Sequence, residues 1–209
     1  DLSTSSGAGA PGLATDRIGT SVSVVTSDDL RRQQIRDAGD ALRSLPGVEV
    51  SRTGSISGKT QVRIRGAEGN HTLVLIDGIE ANDPNDGEYD FASLLVDDIE
   101  RIEVIRGAQS GLYGSGALAG VVNIITRSGK GPLTIAVRSE IGSYRTTTNS
   151  ARVSGGNDRA WLAISGQQRR TDGFNISLQG DERDGSVLSN FSAKAGVKLT
   201  DDITTEVML

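Results

Sequence analysis

From Leu133 to Leu199 the chain keeps returning to one pattern, an apolar residue at every second position over stretches of about ten residues. Leu133, Ile135, Val137 and Ile141 alternate with Thr134, Ala136, Arg138 and Glu140. Arg159 to Arg169 carries Trp161, Leu162 and Ile164, and Arg145 to Ser154 is a more polar stretch of similar length. Phe191, Ala193, Ala195, Val197 and Leu199 alternate with Ser192, Lys194, Gly196 and Lys198. Period two is the side-chain period of a β-strand. The segment therefore predicts an antiparallel meander of long strands with one apolar and one polar face. Ten residues at about 3.3 Å each, tilted by about 40°, cross about 25 Å, the height of the apolar band of a membrane barrel. The tight turns "GGND" (155–158) and "TDD" (200–202) fall at one end of the strands, and a long 171–189 loop falls at the other. Short turns on one side and long loops on the other are the habit of membrane barrels. A soluble antiparallel sheet with one wet face fits the same alternation.

Composition narrows the functional classes. Only 35% of the 209 residues are hydrophobic, and no run reaches the length of a membrane-spanning helix. That excludes helical spans and leaves barrels open, because alternation averages the hydropathy out. The net charge of −5 does not favour a nucleic-acid partner. Cysteine is absent, which removes thiol catalysis, disulfides and cysteine metal sites, and His71 is the one histidine. No catalytic constellation is expected, so the chain is read as a non-enzyme. It starts at Asp1 without a methionine and ends at Leu209 within a strand pattern, so a piece of a longer protein is expected.

The first 130 residues have a different texture. Residues 1–19 are small and polar with no apolar period, and read as a flexible arm. A short strand then runs into a helix with Ser27 as its N-cap and Asp28 and Asp29 in its first turn. A second helix, "DAGDALRSL", is stopped by Pro46-Gly47. Strands are expected at 48–51, 61–65, 72–77, 99–106 and 121–126, separated by glycine turns. The polar loop "EANDPNDGEYDFASLL" interrupts them. Together these predict a compact α+β domain with a small mixed sheet.

The stretch "ERIEVIRGAQSGLYGSGALAGVVNIITRSG" (100–129) reads strand, glycine-rich loop, strand. A nucleotide-binding protein is the first alternative it raises. A dinucleotide fingerprint would need G-x-G-x-x-G opening a helix, and a phosphate-binding loop would need a lysine after its second glycine. Gly114, Gly116 and Gly120 have the wrong register, and Ala117-Leu118 follows Gly116. The glycines are expected to serve tight turns and close packing instead.

Several segments here resemble one family. "SLPGVEV", "VRIRGAEGNHTLVLIDGIEAND" and "DDIERIEVIRGAQSGLYGSGALAGVVNIITRSG" look like the plug domain of TonB-dependent outer-membrane receptors, in order, over residues 20–130. The segment 131–209 is similar to the first strands of their 22-stranded transmembrane β-barrel. "HTLVLIDG" and "VDDIERIEVIRG" look most like cobalamin-type receptors. The resemblance implies an α+β plug followed by the first, incomplete set of barrel strands. It also implies import of a scarce ligand, cobalamin or a ferric siderophore, across the outer membrane of a Gram-negative bacterium, with the plug as gate. TonB, the small-molecule ligand and outer-membrane lipid would be the partners. A signalling receptor of the same family is the alternative, and no "VVTA"-like TonB box stands before Ile18.

Three groups of site residues follow as expectations. The 80–92 loop, long and polar between apolar strands, is expected to meet ligand at the plug apex through Asn82, Asp83, Asn85 and Tyr89. Asp172, Asp181, Glu182 and Asp184 offer hard oxygen ligands for Ca²⁺, as the cobalamin-type resemblance implies; no other cofactor is expected. Arg65 and Arg106 each stand in "IRG" and are expected to anchor the plug to barrel glutamates, with Glu100 and Glu103 the nearest partners within the chain and both arginines otherwise exposed or locally paired.

Overall fold

A computed structural model describes residues 21–177 and 180–209. The arm at 1–19 and the segment before Ile18 lie outside the described residues. The chain divides into two compact units: one runs up to Arg52 and resumes over Lys59–Thr126, and the other joins Thr53–Gly58 to Arg127–Leu209.

In the first unit β1 (Ser21–Thr26) leads directly into α1 (Ser27–Arg32). The cap is Thr26, one residue before the expected Ser27. Thr26 accepts from the Asp29 backbone, and the Asp29 carboxylate accepts from the Thr26 backbone, so each satisfies an end group of the other. These bonds, led by the Thr26 side chain, hold the Asp29 carboxyl below its usual range. α2 (Ala38–Leu42) buries Ala38, Ala41 and Leu42 completely and is shorter than the expected helix. β2 (Val48–Arg52) and β3 (Thr60–Ile64) form a separate hairpin.

β4 (Thr72–Ile76), β5 (Ile79–Glu80), β6 (Ile99–Arg106) and β7 (Gly120–Thr126) complete a mixed sheet with the order β1-β6-β7-β4-β5. β7 pairs antiparallel with β6 and parallel with β4. A strand covered on both faces should be apolar without alternation. β7 obeys this: Val121, Val122 and Ile124 are all buried. Beneath one face lies the main core, built from Leu42, Ile64, Phe91, Ile99, Ile102, Val104 and Ile124 among others. Leu73, Ala117 and Val121 form a smaller cluster.

The structure answers the glycine question position by position. A Cβ on Gly120 would lie 2.3 Å from the Ile105 carbonyl oxygen, so β7 can approach β6 only without a side chain there. Gly107 and Gly114 adopt φ of +104° and +88°, open to glycine and strained for other residues. Gly111 has open space around it, and nothing in the structure requires it to be glycine. Between them α3 (Ser110–Tyr113) forms a single turn that the sequence does not announce.

The second unit is an antiparallel meander in sequence order: β8 (Thr134–Gly142), β9 (Thr146–Gly156), β10 (Ala160–Thr171), β11 (Ser186–Lys198) and β12 (Thr204–Met208). β11 begins at Ser186, earlier than the alternation from Phe191 suggests, because Ser186 to Asn190 continue the ladder opposite Gln167 to Thr171. The long loop is accordingly shorter, 172–185. Thr53–Gly58, the turn between β2 and β3, groups with this unit. Ser55 donates to the Asp184 carbonyl at 2.9 Å, and Ser186 donates to Ser57 at 2.6 Å.

Register shows which residues share a face. Ile135, Val153, Ile164 and Ala193 stand in one row across four strands, and Val137, Ala151, Gly166 and Phe191 in the next. Their large side chains are exposed: Ile135 at 68%, Val137 at 77% and Phe191 at 62%. On the opposite face Ser154, Ser165, Gln167, Arg169 and Thr171 are buried. This is the reverse of a soluble sheet, which hides its apolar face and wets its polar one. It is the arrangement of a membrane barrel wall.

Candidate functional site

The candidate ligand loop grows from a tight hairpin. Asp77 and Gly78 both take positive φ, which suits the two-residue turn joining β4 to β5. The Asp77 carboxylate also accepts from the backbone and hydroxyl of Thr126, tying this turn to the end of β7. Beyond β5, Asn82 acts as a clamp. Its Oδ1 accepts from the Val74 backbone at 2.7 Å, while Nδ2 donates to the carbonyls of Thr72 and Gly87. The Asn82 amide is thereby committed to the loop's own base.

The tip closes on itself. Asp83 N–H donates to the Glu88 carbonyl and Gly87 N–H to the Asp83 carbonyl, both at 2.8 Å. The Asp83 carboxylate accepts from the backbone and side chain of Asn85. Asp83, Pro84, Asn85 and Asp86 are exposed. Lys59 flanks the loop, 2.8 Å from Glu88 and 3.1 Å from Asp86. These bonds push the lysine above its usual range. Glu88 is held low by Lys59 and then Gln61; Asp86 is held low by the Glu88 backbone and then Lys59. Tyr89 packs against the main core and meets Phe91 edge-on at 4.9 Å. Burial pushes its phenol up. Of the four residues expected to face ligand, the structure presents Asp83 and Asn85 at the tip and gives Asn82 and Tyr89 to the support beneath.

The two arginines differ sharply. Arg65 is exposed and sits just after β3 with φ of +54°, outside the strand expected to include it. Arg106 is 4% exposed. Its guanidinium donates to Ser21 at 3.2 Å and Ser23 at 2.8 Å, both on β1, and its Nε has no acceptor. Burial first, then Arg65, lowers its proton affinity. Arg106 is thus neither exposed nor paired with an acid among the described residues. Glu100 and Glu103 are not its partners: Arg101 takes both, at 3.5 Å and 2.7 Å. Strand parity explains this. Arg106 lies on the core face with Ile102 and Val104, whereas Glu103 and Arg101 lie on the other.

The four acids of the long loop do not converge. Asp172 pairs with Arg145, and Arg183 stands 3.6 Å from it. Asp184 accepts from the Ile176 backbone, and Asp181 and Glu182 are exposed. Among the described residues no three such side chains are grouped as a metal would need. Sequence reasoning missed Lys59, Asp86 and Glu88; the charges at 86 and 88 inside a long polar loop were the available signal.

A mixed-sheet domain with a supported polar loop, followed by a meander whose apolar face is exposed, defines a plug joined to the first strands of a membrane barrel. The description "TonB-dependent Receptor Plug Domain" matches residues 14–121. The chain is 35% identical over 183 residues to the vitamin B12 transporter BtuB of Photobacterium profundum, covering 86% of this chain and 30% of that protein. Among solved structures it resembles the siderophore receptor PirA of Acinetobacter baumannii, with TM-score 0.72 and 29% identity over 90% of this chain and 30% of that one. The ferripyoverdine receptor of Pseudomonas aeruginosa shares the fold, with TM-score 0.73 and 21% identity over 90% of this chain and 24% of that one. The chain belongs to the TonB-dependent receptor family. It spans 30% of the length of the vitamin B12 transporter.

Proposed function

We propose that this chain supplies the gate and the first wall strands of an importer in the outer membrane of a Gram-negative bacterium. A small ligand of the cobalamin or ferric-siderophore type is captured outside, and TonB drives the gate open from the other side. Residues 20–130 serve as the plug and 131–209 as wall. The receptor does no chemistry on its ligand. The observation that carries the reading is the reversed meander, apolar outside and polar on the covered face, in a chain of this family. A soluble enzyme would not leave Ile135, Val137 and Phe191 in water.

Within this reading Asp83 and Asn85 touch ligand, because they alone of the expected four are exposed at the tip of the loop. Arg106 is the stronger anchor candidate: a buried cation held, among the described residues, by serine hydroxyls is a costly arrangement that an acid would relieve. Arg65, beside it, would share that acid. Ca²⁺ at Asp172, Asp181, Glu182 and Asp184 would require the long loop to rearrange and release Asp172 from Arg145. The test is growth of a deletion strain on limiting cobalamin and on siderophore-bound iron, with the full receptor restored, in the presence and absence of TonB. Growth that depends on both receptor and TonB is the expected result. Growth independent of TonB would overturn the proposal.

A further inference from the structure

The exposed face of the meander is apolar over three successive rows, those of Leu162, Ile164 and Gly166. The next row breaks the pattern in four strands at once, with Ser139, Asn149, Gln168 and Ser189 side by side. One row further Arg170 stands between Thr147 and Val187. Among the described residues of the five strands, Arg170 is the one charge on this face. Ile141 and Val187 share its row and are exposed, so the face becomes partly apolar again at its level.

The polar row is only half satisfied from within. Ser139 donates to the Asn149 Oδ1 at 2.8 Å, and Gln168 donates to Ser189 at 3.2 Å. The Asn149 Nδ2 and the Thr147 hydroxyl keep their donors free among the described residues, and exposed Arg170 makes no ion pair there. Arg170 lies opposite Thr147, and Gln168 opposite Asn149. Opposite positions are about 5 Å apart between Cβ atoms, and successive positions on one face about 7 Å. Four donors thus surround a space the size of one headgroup, with a guanidinium whose fork matches two phosphate oxygens.

A cation bordered by apolar side chains, with no acid on its own face, is costly until an anion meets it. Where a wall faces lipid, the anions at the border of the apolar band are lipid phosphates. The patch lies toward the end of the strands that carries the 172–185 loop, and long loops mark the outer side of a membrane barrel. At the other end the same face passes through Ala160, Val197 and Thr205 and offers no cation.

We propose that Thr147, Asn149, Gln168 and Arg170 form a binding site for the phosphorylated headgroup of an outer-leaflet lipid, held against the wall as a specific ligand. The choice of the outer leaflet rests on the import reading above.

The test uses the full receptor purified in neutral detergent, with bis-phosphorylated lipid A, its phosphate-free counterpart and inorganic phosphate as probes, read by native mass spectrometry. Wild type should retain the phosphorylated lipid about tenfold more tightly than the phosphate-free one, the low end of what hydrogen bonds to a charged group give. Arg170→Gln should lose that preference, and Arg170→Lys should keep part of it, having the charge without the fork. Asn149→Ala should weaken retention about threefold. Arg159→Gln, which removes an exposed cation from the tight turn at the other end, should change nothing. Equal retention of the two lipids by wild type overturns the inference. So does an undiminished preference in Arg170→Gln, or an equal loss in Arg159→Gln. Displacement of the lipid by millimolar inorganic phosphate would assign the site to a free anion and overturn it as well. If the Arg170 variants fail to assemble, the wild-type comparison of the two lipids decides. TonB-independent growth would overturn the import reading and leave the lipid preference untouched.

Discussion

The two units use the same strand alternation under opposite rules. In β6 the alternation points Ile102 and Val104 into a dry core and leaves Glu103 and Arg101 partly exposed on the other face. In β10 it points Leu162 and Ile164 outward and hides Ser165, Gln167 and Arg169. Period two says only that a strand has two unlike faces. Which face meets solvent depends on what the solvent is. The first unit is built for water, and the second for lipid on one side.

The largest effects should separate two phenylalanines. Phe91 is fully buried in the first unit, and Phe91→Ala should cost about 3–5 kcal/mol. Phe191 lies on the apolar face of the second unit, and Phe191→Ala should leave stability in detergent nearly unchanged. Urea titration of the two variants checks this. Equal losses would mean that both faces are protein cores.

Next in size is a charge placed on the apolar face. Ile164→Lys should lower folding stability in phospholipid vesicles by about 2–4 kcal/mol, the cost of a cation at bilayer depth. At Ser139, a polar position on the same face, lysine should cost less, because it stands in the polar row with Asn149, Gln168 and Ser189. A neutral Ile164→Lys would remove lipid from the account.

Asn82→Ala should be smaller, about 1–3 kcal/mol, because it orphans the Val74 N–H and two carbonyls under the loop. Amide exchange at Val74 should quicken while β10 is unaffected. Asn85→Ala should leave the same amides protected and weaken ligand binding instead.

Acid should give the smallest change. Glu88 has its folded-state affinity for protons lowered, first by Lys59 and then by Gln61. Its contribution is present above the ordinary value of 4.5 and is lost as pH falls through the depressed one. The protection of the 82–88 loop, relative to the intrinsic exchange rate at each pH, should therefore fall on acidification below that range, and Glu88→Gln should flatten the response. A loop whose exchange kept the same pH profile in both would show that the Lys59 pair holds nothing there.

What could be read in advance divides along physical lines. The meander was legible because Ile135, Val137, Phe191 and Val197 carry their signal locally, two residues at a time. The strand expected at 121–126 was legible in the same local way, from Val121, Val122, Ile124 and Ile125. The start of β11 was obscured because Ser186, Ser189 and Asn190 are polar, and only their partners on β10 keep them in the sheet. Arg106 could not be placed, since the serines that hold it are 85 and 83 positions away. Asn82 read as a ligand contact because an asparagine in a polar loop has the same sequence whether it clamps the backbone or faces outward. The parallel pairing of β4 with β7 was hidden for the same reason: nothing near Thr72 names Gly120 as its neighbour.

The central claim is that the meander faces lipid on its apolar side. These 209 residues hold no cysteine, so a label introduced among them meets no competing thiol within this stretch. Spin labels placed one at a time at residues 160–171 of the full receptor in bilayers should report the environment of each face of β10. Relaxation by dissolved oxygen should peak at the even positions, Leu162 and Ile164 above all, and drop at Ala163, Ser165 and Gln167. Strong relaxation of the Leu162 and Ile164 labels by a water-soluble nickel chelate, with no oxygen preference, would contradict the account and return the meander to a sheet in water.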